Sequence, residues 1–160
     1  MKVHEIMTTP VLTVRVDASI EQAAELLARH DVNTLPVTDA RDRLVGVVTE
    51  TEVFHALALH LGIGLSPTAR LDATTAPRQV ADITQEPIAR VSRDDDVRLC
   101  LALMAKDHGM AIPVMDGQRV VGIVTRGNAL QALTRLDRAQ LEDHVRQGRL
   151  PETSCGLIAL

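Results

Sequence analysis

Aromatic side chains are almost missing from this sequence: one Phe, no Tyr and no Trp in 160 residues. That scarcity argues against a nucleic-acid binder that stacks bases on aromatic platforms. Positive charge is also in short supply, with 17 basic against 21 acidic side chains and a net charge of −4, which disfavours bulk phosphate-backbone binding. No apolar run approaches the roughly 20 residues that a membrane span needs. Met1-Lys2-Val3-His4-Glu5 enters patterned sequence without a basic stretch followed by an apolar one, so a cytoplasmic protein is expected. Of the two cysteines, Cys100 falls on an apolar helical face and Cys155 in the tail. They read as thiols of a reducing compartment rather than a bridge or a metal pair. His55 and His60 are five apart, off the i, i+4 spacing of a helical metal pair, so no metal site is expected.

What the chain does have is repetition. A shift of 77 lays Val3–Val37 on Val80–Val114 with nine identities in 35 positions. A shift of 76 lays Leu44–Leu57 on Val120–Leu133 with six in 14, including Val45-Gly46-Val47-Val48-Thr49 against Val121-Gly122-Ile123-Val124-Thr125. The protein is a tandem duplication.

Each copy spells the same elements. Val11-Leu12-Thr13-Val14 after Pro10 reads as a short strand. Ser19-x-x-Gln22 has capping-box form, and Ile20, Ala23, Ala24 and Leu27 follow at helical spacing. Asp96 takes the cap position in the second copy, ahead of Val97, Cys100, Leu101 and Met104, and Gly109 is the expected stop. Leu35-Pro36-Val37 and Ile112-Pro113-Val114 give a second strand, and the Gly-containing apolar runs give a third. A second helix follows, with Val53, Phe54, Leu57 and Leu61 on one face, or Ala129, Leu130, Leu133 and Leu136 in the second copy. The order is β-α-β-β-α, twice. Units this small bury too little alone, so an α/β fold is expected in which the two pack with pseudo-twofold symmetry. The expected boundaries are 1–61 for the first repeat, 62–79 for a connector, 80–136 for the second repeat and 137–160 for a helical extension and tail.

This pattern resembles the cystathionine β-synthase (CBS) domain, and two in tandem resemble the Bateman module. The residues that carry the resemblance are Ile6-Met7-Thr8-Thr9-Pro10-Val11, Leu35-Pro36-Val37 and Val45-Gly46-Val47-Val48-Thr49, with their second-copy partners. The resemblance implies a sensor that binds AMP, ADP, ATP or S-adenosylmethionine in clefts between the repeats, dimerises, and regulates an unknown protein. It implies no catalysis and no required cofactor. The site residues it implies are Thr8, Pro10, Val11, Leu35, Pro36, Val37, Thr49 and Glu52, then Pro87, Ile88, Ile112, Pro113, Val114, Thr125, Arg126 and Asn128. The threonines end a strand and begin a helix, so their hydroxyls and nearby N–H groups are expected to face a ligand anion.

In the family an Asp three residues after this Thr takes the ribose hydroxyls. Here Glu52 keeps the charge but is longer, and Asn128 keeps the length but exchanges one acceptor for a donor. Arg126 favours phosphate near Asn128, whereas Glu50 and Glu52 make the first copy acidic. Three functions follow: an adenosyl-ligand sensor, a ligand-free dimerisation scaffold that has lost binding, or a small enzyme acting on a nucleotide held in a cleft. No nucleophile elbow and no phosphate-cradling Gly-x-x-x-x-Gly-Lys supports the third. Asp94-Asp95-Asp96 reads as a polar turn that caps a helix rather than as a metal cluster.

Overall fold

The computed structural model describes residues 1–63, 76–87, 89–107 and 111–136. Ile88, the middle of the connector, the Gly109 stop and the tail with Cys155 lie outside the described residues. The chain divides into two compact units, one formed by Met1–Val11 with Pro87–Leu160 and the other by Leu12–Glu86. We call them the terminal and the central unit.

In the central unit, β1 (Val14–Arg15) leads to α1 (Ile20–His30), β2 (Thr34–Thr38), β3 (Leu44–Thr49) and α2 (Glu50–His60). The sheet order is β1-β2-β3; β1 runs parallel to β2, and β2 antiparallel to β3. The parallel pair requires the α1 crossover, while the antiparallel pair closes with a short turn. Ser19 caps α1 through the Gln22 N–H, and Gln22 returns a bond to the Ser19 N–H at 3.0 Å. Ile20, Ala23 and Leu27 are buried against Leu35, Val37 and Val48, as the helical spacing predicts. The β2–β3 turn is held by Asp39, whose carboxylate accepts the Arg41 and Arg43 N–H groups at 2.8 and 3.0 Å and the Arg43 Nε at 2.8 Å. Those Arg43 bonds draw the Asp39 carboxyl down to about 2.

The terminal unit repeats this arrangement with β4 (Val91–Ser92), α3 (Val97–Asp107), β5 (Ala111–Asp116), β6 (Arg119–Thr125) and α4 (Arg126–Arg135), in sheet order β4-β5-β6. Asp96 caps α3 by accepting the Arg98 N–H at 2.9 Å. Cys100 is fully buried in the core with Ile112, Val114 and Val124.

Two local expectations shift. The first strand forms at Val14–Arg15 rather than across Val11–Val14, because only Val14 and Arg15 find partners, at Val37 and Thr38. On α2 the buried positions are Val53 and Ala56, while Phe54 is 68% exposed and Leu61 74%. On α4 they are Ala129 and Ala132, with Leu130 64% exposed. The inward positions are Val53 and Ala56 on α2 and two alanines on α4, and Phe54 and Leu130 face outward.

The units do not follow the repeats as written in the sequence. Met1–Val11 opens the first repeat yet builds onto the second: Val3 N–H donates to Asp95 O at 3.0 Å, and Val97 N–H to Met1 O at 3.0 Å. In the central unit the equivalent residues after the connector do the same, with Val80 N–H to Ala18 O and Ala81 N–H to Val16 O, both 2.9 Å. Val3 and Val80 are fully buried, each in the core of the unit it closes. No helix among the described residues is long and apolar enough to cross a membrane.

Candidate functional site

Each unit carries the same construction: a strap of extended chain laid across the last strand, next to the N-terminus of the last helix. In the terminal unit, Thr8 N–H donates to Ile123 O at 2.8 Å and Ile123 N–H returns to Thr8 O at 3.2 Å. In the central unit, Val47 N–H donates to Gln85 O at 2.8 Å and Gln85 N–H to Val47 O at 2.9 Å. Glycine makes this approach feasible. A Cβ on Gly122 would stand 2.5 Å from Met7 Sδ, and one on Gly46 2.3 Å from Thr84 Cγ2 and 2.6 Å from Gln85 O. The strap of the central unit is anchored by Asp82, which accepts the Arg78 and Gln79 N–H groups at 2.9 and 3.0 Å. The Gln79 bond and then the Arg78 bond hold its carboxyl below the ordinary value.

At the helix N-terminus of the terminal unit, Asn128 Oδ1 accepts the Thr125 N–H at 2.9 Å, the Thr125 hydroxyl at 2.8 Å and the Thr8 hydroxyl at 3.4 Å. The atom that faces a backbone N–H has to be the amide oxygen. Asn128 Nδ2 is therefore turned away from this cluster with two N–H donors to offer. In the central unit, Glu52 Oε2 accepts the Thr49 N–H at 3.0 Å and also the Thr49 hydroxyl. Its other oxygen, Oε1, accepts the Gln85 side-chain amide at 3.3 Å.

The structure thus brings Thr8, Thr125 and Asn128 together, and Thr49 with Glu52. The threonine groups are not left for an anion, as the sequence suggests: the hydroxyl and N–H of Thr49 are taken up by Glu52, and those of Thr125 by Asn128. Leu35, Val37, Ile112 and Val114 point into the cores, and each is at most 1% exposed. Strand alternation places Pro36 and Pro113 on the opposite sheet face, paired with Val47 and Ile123, the residues under the straps. Pro87 is buried, Val11 half-buried, and Pro10 and Arg126 exposed. Among the described residues no group of three His, Cys, Asp or Glu side chains could hold a metal.

Gln85, Thr84 and Met7 are absent from the expected site residues, although Met7 stands in the Ile6–Val11 motif. The signal was present, since the 77-residue shift that aligns the copies puts Gln85 at the position of Thr8.

A duplicated β-α-β-β-α module, with one strap-and-helix site in each unit, is the class that this geometry defines. The chain belongs to the CBS domain family, whose model matches residues 3–59 and again 80–135. It is 26% identical to a CBS domain pair crystallised with 5′-methylthioadenosine and S-adenosyl-L-methionine, covering 84% of this chain and 97% of that one at a TM-score of 0.68. It is also 26% identical to CBSX2, crystallised with AMP, covering 84% and 96% at a TM-score of 0.69. Among curated proteins, L-aspartate semialdehyde sulfurtransferase of Methanocaldococcus jannaschii is 29% identical over 77% of this chain. The match spans only 21% of that enzyme's length.

Proposed function

We propose that this chain is a regulatory module that binds an adenosine-containing ligand (AMP, ADP, ATP or S-adenosylmethionine) at its strap-and-helix sites and turns nothing over. The observation that carries the reading is the Thr8–Thr125–Asn128 cluster, an ordered polar corner between strap and helix with an amide donor turned away from it. The adenosyl ligands of the two CBS structures support the ligand class.

Titration calorimetry with adenosine, AMP, ADP, ATP and S-adenosylmethionine tests it, with recovery of intact ATP after long incubation expected alongside. Asn128→Asp keeps the side-chain length and replaces Nδ2 with an acceptor for a ligand hydroxyl. A hydrogen bond to a charged acceptor contributes about 1.5–3 kcal/mol, so adenosine affinity is expected to rise roughly tenfold or more. The gain should shrink for phosphorylated ligands, which the new carboxylate repels. The competing reading, a ligand-free scaffold, has in its favour that both Glu52 oxygens and both Thr49 donors are already engaged. Absence of binding by wild type and by Asn128→Asp would favour it.

The module also pairs with a second copy of itself. Phe54 and Leu130, at equivalent positions of the two repeats, are large apolar side chains exposed on α2 and α4. In the central unit Phe54 borders a groove of about 440 Å³ between α1 and α2, lined by Ala24, Leu27, Ala28, Val53 and Leu57 together with the polar Asp31, Asn33 and Glu50. An exposed apolar side chain beside a groove of mixed apolar and polar lining suits self-complementary helix packing. Light scattering at micromolar concentration should give twice 17.4 kDa for wild type and 17.4 kDa for Phe54→Asp/Leu130→Asp. A wild-type monomer would remove this part of the proposal.

A further inference from the structure

We propose that Gln85 is a selectivity latch: its side-chain amide closes the Glu52 carboxylate of the central unit, so that the chain takes one adenosyl ligand, in the terminal unit. This inference rests on the adenosyl-ligand reading above and specifies how it is divided between the two repeats.

The two sites share a backbone plan, yet their strap-to-helix bonds differ in chemistry. In the terminal unit the strap residue is Thr8, whose short side chain reaches Asn128 Oδ1 only at 3.4 Å. A bond that long is weak and readily exchanged. In the central unit the strap residue is Gln85, held by two backbone bonds to Val47, and its longer side chain reaches Glu52 Oε1 at 3.3 Å. That length too is just beyond the usual N–H···O range, and the carboxylate acceptor adds charge assistance. With Oε2 already serving the Thr49 N–H and hydroxyl, both oxygens of Glu52 are engaged.

A ligand hydroxyl that approaches Glu52 Oε1 therefore competes with the Gln85 amide for that oxygen's lone pairs. Displacing that amide trades one neutral donor for another, so it brings little affinity. Asn128 presents no such barrier, because its Nδ2 is turned outward. The carboxylate that the sequence retains at Glu52 is thus the less accessible of the two, and the residue responsible lies 33 positions away on the strap.

Gln85→Met tests the latch, since it keeps the side-chain length, removes the amide donors and leaves the Val47 backbone bonds unaltered. Calorimetry with adenosine should show one binding event per chain for wild type and a second for Gln85→Met. The second should be about tenfold tighter than any residual binding at that site in wild type. It should disappear in Gln85→Met/Glu52→Gln while the first event persists. Circular dichroism and the melting temperature of Gln85→Met should match wild type, which separates unlatching from unfolding. Two equal events in wild type, or one unchanged event in both proteins, would overturn the latch and leave the adenosyl reading standing. No event in any of the proteins would overturn both.

Discussion

Gly46→Ala is expected to lower the stability of the protein by about 3 kcal/mol, the upper end of ordinary overpacking costs. The added Cβ would lie 2.6 Å from the Gln85 carbonyl oxygen, a backbone atom in a strap pinned on both sides by Val47. Neither strand nor strap can yield without breaking that pair of bonds. Gly122→Ala is the internal comparison. There the nearest atom is Met7 Sδ at 2.5 Å, the far end of a flexible side chain, and the nearest backbone atom, Thr8 O, stands at 3.3 Å. Methionine swings aside at small cost, so Gly122→Ala should lose less than about 1 kcal/mol. In a chain of this size the difference separates the melting temperatures by roughly 4–12 °C. Thermal denaturation of the two variants reads this directly, and equal losses would show that the Gly46 strap is not rigidly placed. Gly46→Ala should also shift Gln85 relative to Glu52, so it tests the construction of the site along with its stability.

The repeat made most of the fold legible. The Ser19-x-x-Gln22 box, the Ile20–Leu27 stripe and the apolar run ending at Thr49 are local signals, and the stripe and the run each appear twice, with Asp96 as the second cap, so the structure reproduces them. The positions that sequence misplaced are those decided by contacts far along the chain. Spacing groups Phe54 with Val53, Leu57 and Leu61 on one face, but Val53 and Ala56 take the inward positions of α2 and Phe54 faces outward. Val11–Val14 looked like a strand by residue type, yet β2 offers partners only to Val14 and Arg15. The candidate site was half legible for the same reason. Its helix-end residues, Thr49, Glu52, Thr125 and Asn128, follow from short motifs, whereas the pairing of Thr8 with Asn128 spans 120 positions and that of Gln85 with Glu52 spans 33. No periodicity reports that a strap written beside one repeat lies on the strand of the other.

That exchange of segments has its largest expected effect at Val3. Its side chain is fully buried among Val91, Ile112, Val114 and Val124, although in sequence it begins the first repeat. Val3→Asp places a carboxylate with no partner in that core, a change expected to cost about 4 kcal/mol or more. Val3→Ala is the milder probe of where the loss falls. It removes two methyl groups, about 0.8 kcal/mol each by transfer, plus the cavity left behind, for a total of about 2 kcal/mol. Hydrogen exchange should then quicken in β5, β6 and α3, whose amides depend on the core that Val3 closes. Protection in β2, β3 and α1 should stay near wild type. Val80→Ala, fully buried with Ile20, Leu35 and Val48, should give the mirror result and loosen β2, β3 and α1 instead. If Val3→Ala loosened its sequence neighbours at residues 14–49 and spared residues 91–125, the assignment of the N-terminal strap to the second repeat would be wrong. The Thr8–Asn128 pairing on which the proposed ligand site depends would fall with it.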